Sequence, residues 1–308
     1  MNQDYLNKKK KLKTLIENHF LENDSELIDD VKEINSIELL TPIRLDVCFK
    51  IFFLKYRNHI EISHKLYKDH IYAITNGSIK EYGKPEKNDI SKFLKSFLEL
   101  EKSLLKNKFD QKISILPIGT DNTVLDGAHR LSISVMNSLK VKTQKFKIKD
   151  SSYNWNFFLK RGIRKQFIEY AAKEFCIYNK NSFAAIIWPV SKDFSNDILK
   201  EFSEKNIIYL KKIKLNNFSI KNILIQVYKD HSWLGNTENG YDGIISKFSK
   251  IYETHGELTL IFFTSNSFDK VSILKEKIRS IVGIGKHSIH ITDNQKETEI
   301  VADIFLNK

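Results

Sequence analysis

Three observations in the sequence predict a mixed α/β fold arranged as two domains. From residue 182 onward, strand-length apolar runs alternate with amphipathic helical segments, the pattern of helices covering an open sheet. Earlier, the apolar run Thr123-Val124-Leu125 passes directly into Asp126-Gly127-Ala128-His129-Arg130, a strand-to-helix turn of the kind that holds an anion with backbone N–H groups. A length of 308 residues also exceeds what one core usually organises. The expected divisions are a helical preface over 1–40, a first α/β domain over 41–150, a connecting helix over 151–181 and a second domain over 182–308.

Leu12, Leu15, Ile16 and Phe20, then Leu27, Ile28, Val31 and Ile34, recur at helical spacing, with Asp24 and Ser25 as caps for the second segment. The run Lys8–Lys13 reads as the solvated face of an N-terminal helix. Val47–Leu54, interrupted by Lys50, reads as a buried strand or helix segment. Ser91–Leu105 carries an amphipathic helix through Phe93, Leu94, Phe97, Leu98 and Leu104. Ile113–Ile118 predicts a strand ending in the turn Gly119–Asn122, Thr123–Leu125 a second short strand, and Val141–Ile148 a further one. The basic and aromatic stretch Tyr153–Lys180 predicts a connecting helix around Phe167, Tyr170, Ala171 and Phe175. In the second domain the expected order is strand 182–188, helix 194–205, strand 207–215, helix 220–228, loop 231–243, helix 244–252, strand 258–264, helix 268–282 and a final helix from about Lys296.

The 41% hydrophobic and 12% aromatic content excludes global disorder, and no apolar run approaches the roughly 18 residues needed to cross a bilayer. The N-terminal residues contain no apolar segment with a small-residue cleavage site, so the expected location is the cytoplasm. Cys48 and Cys176 lie far apart in apolar surroundings and read as core residues rather than a disulfide or thiolate metal site. A net charge of +12 admits a polyanionic partner, but the lysines are spread along the chain instead of gathered in one arm, which does not favour nucleic acid.

Gly127 allows the backbone to approach an anion closely, and the free N–H groups of the following helical turn supply the binding field. His129 adds an imidazole able to transfer a proton, and Arg130 a bidentate phosphate ligand. Asp126 could hold Mg²⁺ or orient Arg130. The stretch Ile115–Arg130 resembles the nucleotide-binding core of the ParB/sulfiredoxin superfamily over roughly residues 40 to 150. Sulfiredoxins place their catalytic cysteine where Ala128 stands, and partition proteins usually carry Glu-Arg at the positions of Ala128 and His129. The Asp-Gly-x-His-Arg form is nearest to the free-serine-kinase branch, which implies ATP, Mg²⁺ and an upstream glutamate acting on the acceptor hydroxyl. Glu81, in Thr75–Lys84, is the residue that fits this role.

A second cluster lies in Gly285–Asp293. His290 is followed by Thr292 and Asp293, residue types that can hold an imidazole in one tautomer for use as a phosphate acceptor. The stretch Ile278–Ile300 resembles the C-terminal part of nucleoside diphosphate kinases, with Arg279, Lys286, His290, Thr292 and Asp293 at matching positions. Ile187-Trp188-Pro189 and Val227–His231 extend the resemblance over about residues 182 to 306 and imply a ferredoxin-like sheet. Trp188, Lys286, His287 and Ile291 depart from the family pattern, which points to a diverged domain that phosphorylates another acceptor through His290 or only binds nucleotide. Together these readings lead to a Mg²⁺- and ATP-dependent kinase for a sugar, polyol or amino acid, with polysaccharide precursor synthesis as the setting suggested by family impression. Its expected partners are a nucleotide and a small-molecule acceptor, with self-association left open. The alternatives are a nucleotide-gated, partition-like nucleic-acid-binding protein and a non-catalytic nucleotide sensor.

Overall fold

The computed structural model describes residues 12, 16, 27–81, 84–107, 114–148, 152–252 and 256–306. The chain is mixed α/β with two small sheets and divides into two compact units, Met1–Ala171 and Ala172–Lys308. The boundary falls inside the segment read as a connecting helix. That segment is two helices, α5 (Trp155–Lys160) and α6 (Lys165–Tyr178), separated at Gly162, where φ is +78°.

The sheet of the N-terminal unit has the order β1 (Leu27–Asn35), β3 (Lys140–Phe146), β2 (Leu116–Ile118), with β1 antiparallel and β2 parallel to β3. The helix expected over Leu27–Ile34 is therefore a strand. Its register shifts between Ile28 and Lys32, with Asp29 at φ +63°, and this irregularity lets residues spaced for a helix pair along an edge. Pairing with β3 satisfies the backbone and overrides local periodicity. Of the first expected helix, only Leu12 and Ile16 are among the described residues. Ile16 N–H donates to the Leu12 carbonyl, and both side chains pack with Ile115, Leu125 and Phe146.

The run Val47–Leu54 lies within α1 (Asp46–Tyr56), a helix buried on every side from Asp46 to Leu54. Such a helix belongs at the centre of a layer. It packs on α2 (Glu61–Ile74) and α4 (Ala128–Met136), and α3 (Ile90–Asn107) closes the same core through Phe93, Phe97 and Leu104 against Phe53, Tyr67 and Ile71. Thr123–Leu125 forms a single antiparallel bridge, Val124 to Ile118, rather than a strand. It folds back on β2 as a tight hairpin, with Gly119 N–H donating to Thr123 and Leu125 N–H to Pro117. This hairpin delivers Asp126 and Gly127 to the start of α4.

Three charges lie buried at the entrance to α1. Arg44 reaches Asp46 through Nε at 2.8 Å and Nη2 at 3.1 Å, and Lys50 Nζ reaches the same carboxylate at 3.1 Å. A third nitrogen of Arg44 donates to the Val124 carbonyl, fastening α1 to the hairpin.

The C-terminal unit contains β4 (Ser182–Ile187), α7 (Ser195–Lys200), β5 (Ile207–Lys214), α8 (Asn217–Val227), α9 (Asp242–Ile251), β6 (Glu257–Thr264), α10 (Phe268–Val282), β7 (Ile289–Ile291) and α11 (Gln295–Phe305). The strands form one sheet in the order β5-β6-β4-β7, antiparallel at every pairing. Every residue of β4 is buried, as expected of a central strand. The expected helix over 194–205 is shorter: a 3₁₀ turn from Pro189 runs up to Phe194, and α7 ends at Lys200, with a second 3₁₀ turn at Glu204–Asn206 leading into β5.

Replacing Asp46 with Ala strands two buried cations. The expected cost is about 3–5 kcal/mol, read from urea unfolding of the N-terminal unit. A loss below about 1 kcal/mol would show that Arg44 and Lys50 find other partners.

Candidate functional site

A cleft of about 830 Å³ opens in the N-terminal unit, bounded by the start of α1, the segments 75–81 and 84–87, α3 and the turn 126–130. Glu81, Asp126, Gly127, His129 and Arg130 all line it. The described lining includes six cationic side chains, Arg44, Lys50, Lys80, Lys84, Lys87 and Arg130, against four carboxylates, Asp46, Glu81, Glu86 and Asp126, so the cleft carries excess positive charge.

Gly127 precedes α4 with φ +91° and ψ 30°. A Cβ there would come within 2.5 Å of a Leu116 methyl and 2.7 Å of Arg130 Nη2, so both backbone conformation and space require glycine. Arg130 folds over this glycine. Its Nη2 pairs with Asp126 Oδ2 at 2.8 Å, and Nη1 donates to Ser114 Oγ. Asp126 therefore orients the guanidinium at the helix N-terminus. The described residues contain no group of three His, Cys, Asp or Glu arranged to hold a metal.

His129 Nε2 lies 2.9 Å from Tyr67 Oη, and its ring packs edge-on against Phe97 at 4.5 Å. Burial, reinforced by the nearby charge of Lys50, pushes its pKa well below the usual imidazole value. His70, fully buried and stacked on Phe49, is lowered in the same way by burial and Lys50. Both rings are neutral at pH 7, so the positive field of the cleft comes from Lys and Arg.

The two Glu81 oxygens bind Lys84 and Lys87, each at 2.7 Å. At the floor, burial alone would raise the Asp46 pKa, but the charges of Arg44 and Lys50 outweigh it and hold the carboxyl well below its ordinary range. Burial lowers Lys50 against the pull of Asp46. The sequence reading missed Arg44, Asp46 and Lys50 as site residues. The available signal was Lys50 itself, a charge inside the most apolar run of the chain.

In the C-terminal unit, His290 sits in β7 opposite Ile186, with its ring edge against Tyr228 at 4.9 Å. Burial, then the charges of Lys275 and Lys247, pushes its pKa down to about 3. Thr292 is fully buried, and its hydroxyl accepts from Ala184 N–H at 2.9 Å and bonds Thr298 at 2.8 Å, so its observed bonds are structural. Asp293 pairs with Lys275 at 2.6 Å and is half-exposed. Arg279 pairs with Glu276 through Nη1, and Lys286 is exposed in the 3₁₀ turn Gly285–His287. The sequence reading also missed Lys247 of α9, whose Nζ lies over the Tyr228 and Trp188 rings.

The chain matches no protein-family model, no curated protein and no solved structure.

The buried histidines set a pH dependence. Below the unfolded value of about 6.5, an unfolded chain takes up protons that folded His129 and His70 refuse, so stability falls as pH drops from 6.5 toward 5. Imidazole NMR shifts of both residues are expected to report the neutral form down to the onset of unfolding. Ordinary titration near 6.5 would show that these rings are solvated.

Proposed function

We propose that the N-terminal unit is an ATP-dependent phosphotransferase acting on a hydroxyl of a small metabolite, such as a sugar, polyol or amino acid. The observation that carries this reading is convergence: Glu81, Asp126, Gly127, His129 and Arg130 line a single cationic cleft. Its volume lies within the ordinary range of small-ligand sites. The mixed sheet leading into the Gly127 turn supports a ParB/sulfiredoxin-like architecture, and the order β5-β6-β4-β7 supports a ferredoxin-like one for the C-terminal unit.

The residues suit a polyphosphate. Glycine leaves the backbone open beside the first turn of α4, and Arg130 is already oriented by Asp126. Mg²⁺ commonly binds through one or two carboxylates together with substrate phosphates, a role that Asp126 would fill. Bound Mg-ATP would supply the transferable phosphoryl group. Lys84 and Lys87 neutralise charge around the phosphates, and Glu81 accepts the proton of the acceptor hydroxyl. Because both Glu81 oxygens are held by lysines, the acceptor must replace one of these contacts to reach the carboxylate. Neutral His129, fixed by Tyr67, contributes a hydrogen bond rather than a charge.

Arg130→Ala is expected to weaken ATP binding at least tenfold, about 1.4 kcal/mol, measured by calorimetry. Unchanged affinity in the folded variant would remove the assignment.

Glu81→Gln conserves shape while removing the base. It is expected to retain nucleotide affinity and lose about 100-fold or more in turnover. Normal turnover would leave Glu81 as a loop residue held by two lysines.

For the C-terminal unit we infer a phosphate-handling role in which neutral His290 attacks the γ-phosphorus of ATP and ADP departs. Incubation with γ-labelled ATP is expected to leave acid-labile, base-stable label that His290→Ala abolishes. No label in the wild type would limit this unit to binding.

A further inference from the structure

Lys247 is only 9% exposed, yet its described surroundings contain no compensating acid. Its Nζ lies 5.1 Å from the ring centroid of Tyr228 and 5.7 Å from that of Trp188. Its hydrogen-bond acceptor is the Lys286 carbonyl at 3.5 Å, the outer limit of such a bond. The charges acting on it, Lys286 and Arg279, are both positive; together with burial, which is the larger effect, they lower its pKa to about 8. At pH 7 it is still an ammonium. A buried cation without a counter-charge is costly.

Further polar atoms around it lack partners. Trp188 Nε1, Arg279 Nε and His287 Nδ1 are buried without a hydrogen bond among the described residues. The first two can only donate. Lys286, whose carbonyl Lys247 reaches, immediately precedes His287, and the turn 285–287 packs on both α9 and α10, the helix that carries Arg279. An assembly of cations and orphaned donors is chemically complementary to an oxyanion. Beside it, Trp233 packs on Tyr228 at 5.0 Å and remains 44% exposed, an aromatic surface available to a base.

We propose that Lys247 anchors a phosphate site in the C-terminal unit, between Trp188 and Tyr228 and completed by Arg279 and His287, which takes the phosphate chain of a nucleotide. This assignment rests on the phosphate-handling reading of that unit and names the cation on which it depends. It makes Lys247 a binding residue, in addition to Arg279 and Lys286.

The test uses the full chain carrying Arg130→Ala, so that the N-terminal cleft is weakened, and titrates pyrophosphate and ADP by calorimetry. Adding Lys247→Met is expected to weaken both ligands at least tenfold, whereas Lys247→Arg retains them. ADP is expected to bind more tightly than pyrophosphate through Trp233. Equal affinity with Lys247 and with Met at 247 overturns the proposal, as does Arg130→Ala abolishing all binding; the latter result leaves the N-terminal phosphotransferase reading standing. If Arg130→Ala changes nothing and Lys247→Met abolishes binding, the N-terminal reading fails and this one holds. Should Lys247→Met not fold, hydrogen exchange of the wild type decides. Pyrophosphate is expected to slow exchange in 242–251 and 285–287, and no slowing there overturns the site.

Discussion

Asp46 carries the arrangement on which the N-terminal cleft depends. Its carboxylate holds Arg44 by two contacts and Lys50 by one, all three side chains being nearly inaccessible. Arg44 also donates to the carbonyl of Val124, two residues before Asp126. The ion pair therefore ties the start of α1 to the hairpin that presents the Gly127 turn. Burying a carboxylate is unfavourable in itself; here two cations reverse that preference and fix their own positions in doing so. The cluster sets two cationic side chains around one carboxylate at the cleft floor.

Burial is the main reason that His70 and His129 stay neutral, and the charge of Lys50 adds to it. A cation beside a buried imidazole opposes its protonation, and Lys50 acts in that sense on both His70 and His129. The unit thus divides its labour. Lys and Arg provide the field that attracts an anion, while His129 supplies a directional contact whose orientation is set by Tyr67. Substituting Arg for His129 would change the chemistry as well as the charge, because the neutral ring both donates and accepts.

What the sequence disclosed follows from the range of the interactions involved. The Asp126–Arg130 turn was legible because its constraints are local: a positive φ, space for no Cβ, and an i,i+4 ion pair. The alternation after residue 182 was legible because the two central strands, β4 and β6, are buried strongly enough to impose their composition. β1 was misread as a helix because its partner β3 lies more than a hundred residues later, and local spacing carries no information about that pairing. Arg44 and Lys50 were passed over for a related reason. Their importance depends on Val124 and on complete burial, neither of which is visible in adjacent residues. Thr292 shows the converse: a residue type suited to a ligand, whose hydroxyl instead joins Ala184 and Thr298.

The two units also differ in how their cations are balanced, which has consequences for ligand binding. In the N-terminal cleft, Arg130 is paired with Asp126, and Lys84 and Lys87 with Glu81. An incoming anion there competes with internal carboxylates, so much of its attraction is offset, and the gain lies in selectivity for ligands that engage several cations together. Lys247 in the C-terminal unit has no such internal competitor among the described residues. An anion reaching it relieves a desolvation cost already present in the fold, so binding and stability are directly linked at that position. Small anions would therefore register chiefly in the C-terminal unit, whereas the N-terminal cleft would discriminate in favour of extended polyphosphates.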